Sequence, residues 1–113
     1  KITFKNRSVL LAGDACIESE EEQLASGYDL FADVLKIGHH GSSGSSSEEY
    51  IDAVNPEAAV ISCGKDNDYG HPSLTVLSLL ESRGTMLYRT DTQGTIAVIT
   101  DGSGLLIKEN FGR

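Results

Sequence analysis

No stretch of this sequence approaches the roughly 18 consecutive apolar residues that a membrane-crossing helix needs, and its start carries no signal-peptide pattern. Basic residues are few: nine Lys and Arg stand against seventeen Asp and Glu, a formal net charge of −8. They are also scattered, whereas a phosphate backbone is normally held by clustered Lys and Arg. If a polyanion is bound, metal ions or another part of a longer protein must hold it. Cysteine is limited to Cys16 and Cys63, which lack the C-x-x-C spacing of a zinc or redox pair. Cys16, two residues beyond Asp14, is open to a ligand role but reads better as a buried structural thiol. Glu18, Glu20, Glu21 and Glu22 fall in the first turns of a predicted helix, favour the positive end of its dipole and are expected to be solvated. No internal repeat occurs, and no low-complexity tract beyond one Ser/Gly loop. With 113 residues, 39% hydrophobic and 23% charged, the chain can bury one core and reads as one unit over 1–113.

The most informative segment is Ile37-Gly38-His39-His40-Gly41-Ser42-Ser43-Gly44-Ser45-Ser46. It places two adjacent histidines after the β-branched run 32–37, in a Gly/Ser turn with little bulk around them. Imidazole is the commonest transition-metal ligand, and strand-end loops hold side chains both exposed and still. The pattern therefore points to a metal or phosphate site, with a plain polar turn as the alternative. A second strand, Ser8–Gly13, ends with Asp14 exposed just beyond it. Asp14 is either a ligand or the N-cap of the helix that follows.

The order of elements names a class. A strand at Ile2–Phe4 and the strand ending near Asp14 precede a helix near 18–26 and a strand over 32–37. A helix over Ser47–Val54, capped by Ser46 or Ser47, puts Tyr50, Ile51 and Val54 on one face and stops at Asn55-Pro56. Ala58–Ser62 is a buried strand, and the loop 64–72 carries Gly70-His71-Pro72. Pro72 suits the first position of a helix closed by Gly84. Strands at Met86–Tyr88, Thr95–Ile99 and Leu105–Lys108 are joined by two hairpin-like turns, 91–94 and 101–104. Strand–helix alternation followed by hairpins predicts an α/β fold with a mixed sheet. Regular crossovers would bring Asp14, His39, His40 and His71 to the carboxyl edge of that sheet, where open α/β sheets bind ligands; taken alone, His71 reads equally as the cap of the helix that follows.

The runs Leu10-Leu11-Ala12-Gly13-Asp14, Asp33 to Ser42, Ala59 to Pro72 and Tyr88-Arg89-Thr90-Asp91-Thr92-Gln93-Gly94 carry a resemblance. In order and spacing they resemble the C-terminal half of the metallo-β-lactamase fold, an αββα sandwich. More narrowly they are similar to the C-terminal domain of ComEC-type competence proteins, the membrane channels for DNA uptake. The similarity runs over about residues 8–102. Stand-alone hydrolases of the fold share His-His-Gly-Ser.

The resemblance implies two divalent metal ions, zinc or manganese, with Asp14 as bridging ligand. It implies one further ligand at His40, or else at His39, with the other histidine facing substrate. Asp14, His39 and His71 become the catalytic residues, and Gly41, Ser42, Ser43 and His71 the phosphate-binding set. Physically, a bridging carboxylate offsets two dications that together activate a shared water. The fold's His-x-His-x-Asp-His motif and one later histidine are missing, and the sequence starts at Lys1. An excised half-domain is thus expected, binding metal weakly or not at all by itself, inactive, and self-associating through the face its N-terminal half would cover. The implied setting is a soluble domain of a bacterial membrane protein, on the extracytoplasmic side, hydrolysing a phosphodiester of the DNA strand that is not imported. The alternatives are a stand-alone or cell-surface hydrolase of another phosphoester, and a catalytically silent DNA-guiding or packing module.

Overall fold

The computed structural model describes residues 1–112. Five strands form one sheet in the order β1-β2-β3-β4-β5: β1 Ile2–Phe4, β2 Arg7–Leu11, β3 Val34–Lys36, β4 Ala58–Ile61 and β5 Met86–Arg89. β1 runs antiparallel to β2, and the remaining neighbours are parallel. Each parallel step is bridged by a helix: α1 Ile17–Ala25, α2 Glu48–Val54 and α3 Leu74–Ser82. This is the crossover that parallel pairing demands, and its constant hand lays consecutive helices on one face. A short helix α4, Thr90–Gln93, then leads to the antiparallel hairpin β6 Ala97–Thr100 and β7 Leu105–Lys108. The chain is thus a mixed α/β structure with a mixed sheet and flanking helices, and no helix among the described residues is long and apolar enough to cross a membrane.

Strand alternation separates the two faces of the sheet. Leu10, Leu35, Ile37, Ala59 and Ile61 meet Tyr50, Ile51 and Val54 of α2 and Val76 and Leu80 of α3 in one buried cluster. The opposite face carries the register row Leu11, Lys36, Val60 and Tyr88. Leu11 there is 57% exposed and Met86 53%, while Val34 and Ala58 on the same side of the pleat are buried, so this face is open only in part.

Several local expectations need correction. β2 ends at Leu11, and Cys16 rather than Asp14 is the N-cap of α1, without a side-chain capping bond. Cys16 is half-buried, its sulfur 3.7 Å from the Ser19 hydroxyl, and is not the fully buried thiol expected. Pro72 stands before α3, whose cap is Ser73, with the hydroxyl accepting the Val76 N–H at 3.3 Å. The segment 91–94 is not a hairpin turn: Thr90–Gln93 is helical, β5 joins the main sheet, and β6 pairs with β7. The 101–104 turn does join β6 and β7, with Asp101 Oδ1 accepting the N–H groups of Ser103 and Gly104. Ser47 caps α2 by accepting the Tyr50 N–H, and Asn55 ends that helix in the left-handed region.

The largest departure is Glu20, which is fully buried rather than solvated. Its carboxylate accepts the backbone N–H groups of Ser46 at 2.5 Å and Ser47 at 2.9 Å, tying α1 to the loop that enters α2. A buried carboxylate is tolerable when charge-assisted bonds replace its water. Glu20→Ala should therefore leave two amides without their acceptor. We expect a loss of about 3 kcal/mol of folding stability, read as a lower urea midpoint; a midpoint unchanged from wild type would show that the clamp contributes nothing.

Candidate metal and substrate site

The loops leaving β2, β3 and β4 emerge at the same edge because the three strands are parallel and in register. Backbone bonds then stitch the loops together. The His39 N–H donates to Gly13 O at 2.9 Å, and the Ser73 N–H donates to Gly41 O at 2.8 Å. Asp14, His39, His40 and His71 consequently all lie on loops at one edge of the sheet.

The histidine pair sits in an unusual turn over Gly38–Gly41. His39 has φ 47° and ψ 44°, His40 φ 57° and ψ 22°, and Gly41 φ 81°. Two consecutive non-glycine residues in the left-handed region cost of order 1–3 kcal/mol each unless the surroundings over-determine them. Here they do. Ser45 Oγ donates to both Gly38 O, at 3.0 Å, and Ser42 O, at 2.9 Å. A Cβ on Gly41 would lie 2.7 Å from that of Pro72, and one on Gly38 2.9 Å from Ala15 O, so both glycines are required by close approach. The turn thus projects two adjacent imidazoles outward from a rigid base, with both histidines exposed.

His40 is oriented by a single bond. Its Nδ1 lies 2.7 Å from Ser62 O, and a carbonyl only accepts, so Nδ1 carries the proton. In the neutral ring Nε2 is then left with a lone pair, and it faces Asp14 Oδ1 at 3.7 Å. That gap is too long for a hydrogen bond. It is close to the span of two donors on one tetrahedral ion: zinc bonds of about 2.0–2.2 Å put their donors about 3.4 Å apart. An imidazole fixed through its other nitrogen by a backbone carbonyl is the usual form of a ligating histidine.

The donor set stops there. Among the described residues no group of three or more His, Cys, Asp or Glu side chains comes together closely enough to hold a metal ion. Cys63 borders the same cavity as His40, but burial raises its thiol above the usual cysteine range and Asp91 adds to this, which disfavours the ligating thiolate. Asp14 and His40 by themselves therefore fit one edge of a metal site and not a complete one.

His39 points along the edge toward His71, their ring centres 5.8 Å apart, whereas the His39 and His40 centres are 6.3 Å apart. His71 is half-buried beside Tyr69. The Ser42 N–H donates to His39 O at 2.9 Å, and the Ser42 hydroxyl accepts the Gly44 N–H at 3.2 Å, so both groups already have partners. Gly41 is buried, while Ser43 borders a separate serine-rich groove between Glu48 and Ser82.

Three supporting groups escaped the reading of the sequence. Lys36, on the open face beside Leu11 and Val60, donates to Ile37 O at 2.7 Å. Burial lowers its ammonium below the usual lysine value, and the Asp14 charge acts in the opposite sense. Asn67 organises the loop after β4 through four bonds to the backbone of Gly64, Tyr69 and His71. Thr90 Oγ1 both accepts the Cys63 N–H and donates to Cys63 O, each at 2.9 Å, pinning that loop's start to α4. The Asn-x-Tyr-Gly-His order was the available signal for Asn67, since Asn side chains capture amides two residues on.

No family model and no solved structure matches the chain. Over 89 residues, 79% of the chain, it is 47% identical to ComE operon protein 3 of Bacillus subtilis. Over 97 residues it is 40% identical to competence protein ComA of Neisseria gonorrhoeae, and over 91 residues 37% identical to recombination protein 2 of Haemophilus influenzae. The matched segment makes up 12%, 14% and 11% of those proteins, so the chain spans a small part of the length of the curated relatives it matches. These homologues, alike over four-fifths of the chain, point to a competence-protein family.

Proposed function

We propose that this chain supplies one edge of a metal-dependent phosphodiesterase site in a competence protein that takes up DNA. The observation that carries the reading is the Asp14–His40 pair: two donors 3.7 Å apart, one of them with its tautomer fixed by Ser62 O. In this reading the chain is the C-terminal half of a metallo-β-lactamase-like αββα sandwich. The exposed part of the second sheet face, around Leu11 and Met86, is where the other half packs and where further donors come from. DNA is the substrate, and the domain lies outside the bilayer, on the extracytoplasmic side of a membrane channel.

The roles follow from placement. Asp14, 79% exposed at its side chain, is free to bridge, and His40 offers Nε2. Bound dications would supply Lewis-acid polarisation of a phosphoryl oxygen and acidify water. His39 and His71 lie farther along the edge, where they meet the substrate. The shortage of donors in this chain favours a second reading, a catalytically silent module that guides DNA, and metal content separates the two.

In the full-length protein, Asp14→Ala should remove one metal equivalent and lower phosphodiesterase activity by more than about 100-fold, since even outer-shell partners of a metal site cost about 10–100-fold. Wild-type metal stoichiometry in that variant would refute the bridging role. His40→Ala should lower metal content, whereas His39→Ala should slow turnover with metal retained; the opposite pattern would exchange the two roles. The 113-residue chain alone should bind zinc weakly, leave DNA uncleaved and self-associate through its open face. Calorimetry with zinc, run beside a nuclease assay, checks this, and tight binding with turnover would make the site self-contained.

A further inference from the structure

Tyr69 is 81% exposed, yet its position is tightly set. Asn67 Oδ1 accepts the N–H groups of both Tyr69 and His71 at 3.1 Å, while Asn67 Nδ2 donates to His71 O at 2.7 Å and Gly64 O at 3.0 Å. The loop is therefore a closed frame around one amide side chain. The Tyr69 ring lies nearly parallel to that of His71, at 16° with centres 5.8 Å apart, in an offset stack. His71 in turn lies 5.8 Å from His39, whose ring centre is 6.3 Å from that of His40.

A cavity of about 250 Å³ opens beside these rings, bordered by His40, Cys63, Gly64, Asn67, Tyr69 and His71. It is smaller than the roughly 300–1,000 Å³ that enclose a whole small molecule. The acidic side chains Asp66 and Asp68 flank Asn67, and the chain's net charge is −8. Lys65 on the same loop is outweighed by these two carboxylates, so charge gives a phosphate little hold on this rim and a ligand there is held chiefly by its faces. Aromatic stacking does that without regard to charge or base identity, and it requires bases already out of a duplex.

We infer that Tyr69 and His71 form a stacking platform for a base of single-stranded nucleic acid, next to the nucleotide whose phosphate meets Asp14 and His40. The inference rests on the phosphodiesterase reading and narrows its DNA substrate to a strand whose bases are unpaired. A phosphoester without bases would gain nothing from the outward face of Tyr69.

The test is a binding comparison in excess EDTA, so that no cleavage occurs, using the full-length protein. A labelled single-stranded oligodeoxynucleotide is compared with an abasic deoxyribose-phosphate strand of equal length by fluorescence anisotropy. Wild type should prefer the base-bearing strand by about tenfold or more. Tyr69→Ala should abolish that preference and Tyr69→Phe should keep it, both with thermal melts like wild type because the side chain is exposed. No preference in wild type, a preference surviving Tyr69→Ala, or its loss in Tyr69→Phe would each overturn the platform. A parallel assay with manganese keeps the two proposals apart: intact base preference without any cleavage would remove the hydrolase reading and leave the platform standing.

Discussion

The hydrogen bond from His40 Nδ1 to Ser62 O, 2.7 Å long, is the contact on which the proposed chemistry of this edge depends. It joins the loop after β3 to the loop after β4, and it fixes which nitrogen faces Asp14. A histidine free to take the other tautomer would present a proton to a cation at Nε2. Ser62 belongs to the segment leaving β4, so the ring is aimed by the sheet itself and does not rely on a neighbouring side chain. Parallel pairing of β2, β3 and β4 is what brings donor, acceptor and carboxylate to one edge.

Around that bond the structure is built to keep a costly turn in place. The left-handed pair His39 and His40 is held from below by Ser45, from one side by Gly13 O and from the other by Pro72 against Gly41. Glu20 acts one layer farther out, holding the Ser46 and Ser47 amides so that the chain leaves the turn straight into α2. Under the proposed metal role such stiffness would matter, because a ligand or phosphate contact misplaced by an ångström loses most of its effect. Acidic α1, which composition alone assigns to solvent, supplies one of these supports.

Much of this was legible in the sequence, for stated physical reasons. Short apolar runs ended by Gly or Ser marked the strands, and Ser and Asn marked the ends of α2. The alternation of strands and helices was enough to bring Asp14, His39, His40 and His71 to one edge, because parallel strands admit few arrangements. What escaped depended on tertiary partners. Glu20 looked like its neighbours Glu18, Glu21 and Glu22 until a loop 26 residues away supplied two amides. Asp91-Thr92-Gln93-Gly94 has the composition of a hairpin turn, but Arg89 grips Asp91 at 2.7 Å and Thr90 reaches back to Cys63, which folds the segment into a helical turn. Pro72 lies outside α3 because Ser73 is the cap, its hydroxyl accepting the Val76 N–H and its own N–H donating to Gly41 O.

The central claim is that His40 holds its proton on Nδ1 against Ser62 O and offers Nε2 to a cation it shares with Asp14. Long-range ¹⁵N–¹H NMR of the three histidines in the full-length protein, followed through a zinc titration at neutral pH, addresses it directly. The account predicts that His40 begins in the Nδ1–H tautomer and that its Nε2 resonance shifts with the first zinc added, while His39 and His71 keep their metal-free shifts. A starting Nε2–H tautomer at His40, or zinc-induced shifts confined to His39, would contradict it.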